Sequence, residues 1–362
     1  MNKTALLSAG GTGGHLFPAQ SLAQELKKRG WKVHLATDHR AKRFLSSFPA
    51  DSVHIVASAT FTGKNPVALA RTFFQLFRGY VFSRRLIGKL KPDVVVGFGG
   101  YPTVPPLLAA NHKGCPTILH EQNAVMGRAN RFLSPNMTAI ASGFEIKAGL
   151  SPKCAPITVT GNPLRAIAHE AARSSYTAPS PKGPFNLLVF GGSQGARFFS
   201  QIMPAALELL PSELLSRLNL TMQARPEDGN HVRAALKELN VVAEVSDFFS
   251  DMPHRVSLSH LVICRSGASS VAELALIGVP SILVPLPGAL DDDQGANAGY
   301  LASGGGALLV RQPDLSAEKL AKLLSSAMKN PQTLAKQAEN AKKAGVPDAA
   351  ARLADLVQAH VT

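Results

Sequence analysis

Two glycine-rich segments of this 362-residue chain have the residue types and spacing to hold phosphate, Gly10-Gly11-Thr12-Gly13-Gly14-His15 and Gly191-Gly192-Ser193-Gln194-Gly195-Ala196. Each follows a short apolar run and opens a stretch of helical spacing. Glycines between a strand and a helix let backbone N–H groups approach phosphate oxygens, and the helix N-terminus adds a partial positive charge. A tight turn in any doubly wound sheet would use the same glycines. Neither segment fits the dinucleotide fingerprint Gly-x-Gly-x-x-Gly, since counting from Gly11 the third glycine position is Leu16. Asp38, after the second apolar run, could hold an adenosine ribose but suits a helix cap better.

His15 closes the first glycine run. An imidazole there can take a proton from an attacking hydroxyl, because histidine ordinarily titrates near neutrality. Glu273 lies within Arg265-Ser266-Gly267-Ala268-Ser269-Ser270-Val271-Ala272-Glu273. A carboxylate can accept both hydroxyls of a ribose diol, and the small residues before it permit close approach of a nucleotide. Asp291-Asp292-Asp293 raises the possibility of a metal held against a diphosphate, but the run precedes a helix-like segment, where acids stabilise the N-terminus. Helix capping is the preferred reading.

The elements that must position these residues alternate in the order of parallel α/β sheets. Thr4 to Ala9, Trp31 to Ala36, Asp93 to Val96 and Thr117 to Leu119 read as buried strands, and Pro18 to Arg29 as a helix. Asn186 to Phe190, Leu261 to Cys264 and Ser281 to Val284 repeat the pattern in the second half, with a helix from Ser269 to Ile277. Segments rich in Pro, Ser and Gly near Asn162-Pro163 and from Ser174 to Pro184 mark a junction. The expected division is residues 1–160, residues 161–340 and a C-terminal helical segment, 341–362. The two halves share a topology and little sequence.

Composition bounds the rest. An apolar fraction of 45% with 17% charged residues describes a folded protein. Three dispersed cysteines exclude a disulfide framework or Cys-x-x-Cys zinc site, which fits a reducing compartment. The first nine residues read as a strand, too short for a signal-peptide core, and no apolar run approaches a bilayer span. Residues 1–160 carry 20 basic and 6 acidic side chains, so the entire net charge of +14 lies in the first half. An anionic surface or polymer is the implied partner. Phe61 to Arg85 alternates aromatics (Phe73, Phe74, Phe77, Phe82) with Arg71, Arg78, Arg84 and Arg85. That mixture suits a membrane surface better than a nucleic-acid groove, although a core helix with snorkelling arginines has the same composition.

Seven blocks in order, Gly10 to His15, Gly97 to Pro102, His120 to Asn123, Gly161 to Arg165, Gly191 to Ala196, Arg265 to Glu273 and Asp293 to Ala298, resemble the MurG family of bacterial peptidoglycan glycosyltransferases. The resemblance implies the α/β GT-B architecture, two Rossmann-like domains facing across a cleft, with the C-terminal helix packed back on the first domain. It implies inverting transfer of N-acetylglucosamine from UDP-GlcNAc to the C4 hydroxyl of lipid I, giving lipid II, with UDP-GlcNAc as substrate and no obligatory cofactor or metal. Implied partners are the anionic cytoplasmic face of the cell membrane, where the protein would be peripheral, and other cell-wall synthesis proteins; no nucleic acid is expected. By position, His15 and Glu121 take catalytic roles. Thr12, Gly13, Gly14, Tyr101, Asn123, Arg165, Ser193, Gln194, Phe249, Ala268, Ser269, Glu273, Gln294 and Asn297 take substrate contacts. Gly288 and Gly295 depart from the family, which often has His and Gln or Ala there. A diacylglycerol glycosyltransferase would share the donor loops, and a nucleotide- or nucleic-acid-binding protein without catalysis would share the basic half.

Overall fold

A computed structural model describes residues 3–11, 13–58, 65–192, 195–288 and 291–361, and divides the chain into two compact units. Unit 1 comprises Met1–Arg165 and Asp348–Thr362, and unit 2 Ala166–Pro347. In unit 1 the order is β1 (Thr4–Ser8), α1 (Gly13–Lys28), β2 (Lys32–Thr37), β3 (Ser52–Ile55), α2 (Pro66–Leu90), β4 (Val94–Gly97), α3 (Val104–Asn111), β5 (Thr117–Glu121), α4 (Arg128–Leu133), β6 (Ala139–Ser142) and β7 (Ile157–Val159). Unit 2 runs α5 (Ala166–Ala171), β8 (Phe185–Phe190), α6 (Arg197–Glu208), α7 (Ser212–Leu215), β9 (Leu218–Gln223), α8 (Pro226–Glu238), β10 (Val242–Ser246), α9 (Met252–Ser257), β11 (Leu261–Cys264), α10 (Ala268–Ile277), β12 (Ser281–Leu283), α11 (Asp293–Ser303), β13 (Ala307–Leu309), α12 (Ala317–Lys329) and α13 (Pro331–Lys343). The chain then returns to unit 1 as α14 (Ala349–Ala359).

Both sheets are parallel, in the orders β3-β2-β1-β4-β5-β6-β7 and β10-β9-β8-β11-β12-β13. A parallel sheet covered on both faces needs strands apolar on both sides, and the alternation in unit 1 shows it. Leu7 and Val96 join the cluster beneath α1 and α14, while Leu6 and Val95 join the cluster with Leu86 and Ile87 of α2. The strand order reverses between β1 and β4 in unit 1 and between β8 and β11 in unit 2. At such a reversal the loops leave the sheet to opposite sides and open a crevice at the carboxyl ends of the strands. Ser8 pairs with Gly97 and Phe190 with Cys264, so the glycine runs and the Arg265 segment emerge side by side at these points.

Helix α1 begins at Gly13, five residues before the expected Pro18, which lies inside it. Helix α2 buries only a narrow stripe, including Thr72, Ser83, Leu86 and Ile87. At Gly79 an added Cβ would collide with the Ala57 carbonyl, so α2 lies too close for a side chain there. Its other side exposes Phe73, Phe74, Phe77 and Phe82 together with Arg71, Arg78, Arg84 and Arg85. Phe61, where the expected stretch begins, lies outside the described residues. No helix among the described residues is long and apolar enough to cross a membrane.

Helix α14 closes unit 1 by burying Leu353, Ala354 and Val357 in the cluster that contains Leu16, Leu22 and Trp31. Arg29 at the end of α1 ties it down, donating to Asp355 and Gln358 at 2.6 Å each. Leu353→Ala is expected to destabilise unit 1 by about 2–5 kcal/mol, the range for a buried leucine truncation. Trp31, the chain's single tryptophan, sits in the same cluster and reports the transition by fluorescence in urea. An unchanged midpoint would mean that α14 contributes nothing to that core.

Candidate functional site

The unit 1 crevice is assembled from four segments far apart in sequence. The turn after β1 delivers His15 in the first turn of α1, and the turn after β4 delivers Gly99 and Gly100 beside it. These two glycines have φ of 88° and 77°, which side-chain-bearing residues rarely adopt. A Cβ at Gly99 would sit 3.4 Å from His15 Cε1, and one at Gly100 3.5 Å from Cδ2 and 3.6 Å from Nε2. The bare backbone therefore lies along the imidazole edge, and Tyr101 follows at the start of a 3-10 turn.

The third segment is the end of β5. Successive residues there alternate in direction, and the hydrogen bonds divide accordingly. His120 and Gln122 serve His15, with Gln122 Oε1 3.1 Å from His15 Nδ1. The Gln122 amide nitrogen lies 3.0 Å from the Phe98 carbonyl, 3.1 Å from the His120 carbonyl and 3.0 Å from His120 Nδ1. The fourth segment completes the set: His120 Nε2 is 3.2 Å from the Gly161 carbonyl, and Asn162 donates to the Gln122 carbonyl at 2.9 Å. His120 is fully buried, and burial pushes its imidazole down to about 4.

Glu121 and Asn123 serve the loop beyond. The Glu121 carboxylate accepts from Asn123 N (3.0 Å), Asn123 Nδ2 (3.2 Å), Gly127 N (2.9 Å) and Asn130 Nδ2 (2.8 Å). At 2% exposure and with four donors it is committed to holding this loop. Glu121, expected in a catalytic role, is placed here as the acceptor that ties the Asn123 to Asn130 loop to the end of β5. Arg165 lies on the ring of Phe17 in α1, 4.1 Å from its centroid, at the end of unit 1. Gly13 and Gly14 form the start of α1, whereas Thr12 lies outside the described residues.

In unit 2 the turn after β8 doubles back on itself. A Cβ at Gly191 would collide with the backbone of Gly195 and Ala196, and Gly192 has φ of 84°. Gly191 N donates to Gln223 Oε1 at 3.2 Å, while Gln223 Nε2 donates to the Asp247 carbonyl at 3.0 Å. One buried amide thus couples the glycine turn to the loop of Phe249, whose ring lies under the Arg255 guanidinium at 4.2 Å. Ser193 and Gln194 lie outside the described residues.

Across the reversal, Ala268 and Ser269 open α10 and Glu273 sits one turn along it. Arg265 is buried beside them, donating to the Val284 and Pro285 carbonyls (3.1 and 3.0 Å) and to Gln312 Oε1 (2.5 Å). Burial lowers the pKa of this guanidinium. Ser266 Oγ donates to the Gln294 carbonyl at 2.8 Å, and buried Asn297 donates to the Ser266 carbonyl at 3.2 Å. Gln294 Oε1 accepts from Leu286 N at 3.0 Å. Asp292, with φ of 46°, forms a two-pronged ion pair with Arg311 at 2.5 and 2.7 Å. The paired guanidinium holds the Asp292 carboxyl below the usual carboxylate range. A Cβ at Gly295 would collide with this pair, which accounts for glycine at that departure. Gly288 has φ of 77°, again a glycine conformation.

The structure therefore gathers His15, Gly13, Gly14 and Tyr101 at one crevice of unit 1. In unit 2 it links Gln294 and Asn297 through Ser266, just before Ala268 and Ser269 at the start of α10. Gln122, His120, Gln223 and Arg265 escaped the sequence reading as site residues. The available signal was alternation along β5 for the first two; no local pattern marks Gln223.

The profile of the glycosyltransferase family 28 N-terminal domain matches residues 5–142, and that of its C-terminal domain residues 186–353. A protein of Brucella abortus (strain S19), described as UDP-N-acetylglucosamine–N-acetylmuramyl-(pentapeptide) pyrophosphoryl-undecaprenol N-acetylglucosamine transferase, is 55% identical over 98% of this chain and 93% of its own length. A protein of the same description from Chelativorans sp. (strain BNC1) is 56% identical over 99% and 95%. The crystal structure of Acinetobacter baumannii MurG superposes with a TM-score of 0.78 at 30% identity, covering 99% of this chain and 100% of that one. The chain belongs to the MurG family of glycosyltransferases. As a family member it has the two-domain GT-B fold.

The buried His120 makes unit 1 of this MurG-family chain sensitive to acid. Its folded value, about 4, lies below the ordinary value of 6.5, so the unfolded chain binds the proton first. Its contribution is complete above about pH 6.5 and is lost as pH falls towards 4, on the order of 3 kcal/mol in all. His34, His54 and His260 are shifted the same way by burial. Urea unfolding followed at Trp31 should show stability falling between pH 7 and 4.5, and falling less in His120→Gln. Equal losses in both proteins would contradict this assignment.

Proposed function

We propose that this chain transfers N-acetylglucosamine from UDP-GlcNAc to the C4 hydroxyl of the muramoyl sugar on lipid I, producing lipid II with inversion at the anomeric carbon. The observation that carries the reading is 55% identity over nearly the whole length to a transferase described by that substrate pair. In one displacement the acceptor oxygen bonds to the anomeric carbon, the bond from that carbon to the phosphate oxygen breaks, and the electron pair leaves with UDP. His15 takes the acceptor's proton.

The donor falls to unit 2 in this reading. Ser193 and Gln194 contact the diphosphate, and the N-terminus of α10 at Ala268 and Ser269 faces it with N–H dipoles. The Phe249 backbone holds the uracil, Glu273 the ribose hydroxyls, and Gln294 and Asn297 the sugar side. Thr12, Gly13, Gly14, Tyr101, Asn123 and Arg165 contribute from unit 1, and Glu121 acts by holding the Asn123 to Asn130 loop. Fixed dipoles can take the charge of departing UDP, and Asp292 is already paired with Arg311, so activity is expected to persist after exhaustive chelation. His15→Ala should lower turnover by about 100-fold or more with donor affinity little changed. Glu273→Ala should weaken donor binding by about tenfold, the loss of a charged hydrogen bond. Normal turnover in the first variant, or unchanged donor affinity in the second, would remove the assigned role.

The outward face of α2 supports peripheral attachment to an anionic cytoplasmic leaflet. Phe73, Phe74 and Phe77 are 70%, 60% and 54% exposed on a helix that also displays four arginines. Aromatic rings flanked by cations fit the boundary between headgroups and acyl chains. Vesicles containing anionic lipid should bind the protein in a salt-sensitive manner. Replacing the three phenylalanines by serine should weaken binding by about 100-fold, from lost apolar burial. Equal binding by that variant would move the membrane contact elsewhere.

A further inference from the structure

We propose that Gln122 is a positioning residue that determines which nitrogen of His15 carries a proton, with His120 and the Gly161 carbonyl fixing Gln122 in turn. The proposal rests on His15 being the base, and it concerns how that base is prepared.

Three backbone carbonyls, of Phe98, His120 and Gly161, can only accept and so fix the roles of the side chains around them. The Gly161 carbonyl can only accept, so His120 Nε2, 3.2 Å away, is the protonated nitrogen. Burial keeps this imidazole neutral at physiological pH, which leaves His120 Nδ1 as an acceptor. Gln122 places one side-chain atom among three acceptors: His120 Nδ1 and the Phe98 and His120 carbonyls, at 3.0, 3.0 and 3.1 Å. An amide oxygen there would face three lone pairs in a buried site, so that atom must be the NH2 group. The oxygen is thereby turned to His15 and can only accept. His15 Nδ1, at 3.1 Å, must donate.

A neutral His15 therefore carries its proton on Nδ1 and its lone pair on Nε2. Nε2 is also the nitrogen beside Gly100, where a Cβ would stand 3.6 Å away and where no side chain exists. The lone pair lies on the edge free of side-chain cover from Gly99 and Gly100. The opposite tautomer would put a proton on that edge and leave two acceptors facing each other at Nδ1 and Gln122. Gln122 does not need to touch substrate to have this effect, and His120 acts one residue further back.

The direct test is long-range 1H–15N correlation on the intact chain with labelled histidine at neutral pH, the His15 signals being identified by their loss in His15→Ala. The wild type should show Nδ1 protonated and Nε2 unprotonated; protonation at Nε2 overturns the proposal without any variant. Gln122→Met, similar in volume but without the amide acceptor, should shift His15 towards the Nε2-protonated form. Its kcat should fall about tenfold or more with donor KM unchanged. An unaltered tautomer and kcat in that variant would also overturn it. Should His15→Ala retain normal turnover while the tautomer is as assigned, the base reading fails and the structural assignment stands.

Discussion

A buried amide that must satisfy both of its ends organises the crevice of unit 1. Gln122 and His120 lie in an apolar interior, where an unpaired polar group costs about 1–3 kcal/mol. Their partners come from the turn after β4, the first turn of α1 and the segment after β7. None of these segments could meet without the strand reversal between β1 and β4, which brings their loops out at one edge. The two glycines after β4 are set by their left-handed backbone, with φ of 88° and 77°, and they leave the imidazole edge beside them without side chains.

Unit 2 repeats the topology and solves a different problem. Its reversal between β8 and β11 carries no histidine; it carries helix N-termini and the buried guanidinium of Arg265. Gln223 couples two loops there as Gln122 does in unit 1, through an amide bonded at both ends. The ion pair with Arg311 engages Asp292, the left-handed residue just before α11, and Gly295 leaves room for it. Unit 1 supplies a group able to change its proton count, and unit 2 supplies fixed dipoles suited to a phosphate anion.

Much of this frame was legible in the residues alone. Strands β1, β4, β8 and β11 are built on short apolar runs, Ala5 to Leu7, Val94 to Val96, Leu187 to Phe190 and Leu261 to Cys264, a pattern set by burial on both faces. The polar edge strands were not legible: β3 and β10 carry Ser52, His54 and Glu244, and their pairing is decided by neighbours distant in sequence. Pro18 suggested a helix start, yet the first turn forms before it from Gly13, Gly14 and His15. Composition marks a junction near Asn162-Pro163 and again from Ser174 to Pro184; the compact units divide after Arg165, and Gly161 and Asn162 bond to the end of β5. Glu121 and Gln122 are adjacent and both polar. Only the direction each takes from the strand separates loop support from the histidine network.

The proposed function stands on direct displacement by an acceptor hydroxyl, with His15 as base and no sugar–enzyme intermediate. The anomeric configuration formed in a single turnover tests it most directly, read from the proton coupling of the new linkage. From the α-linked donor, direct displacement gives a wholly β-linked N-acetylglucosamine. An α-linked product, or a sugar trapped covalently on the chain, would contradict it.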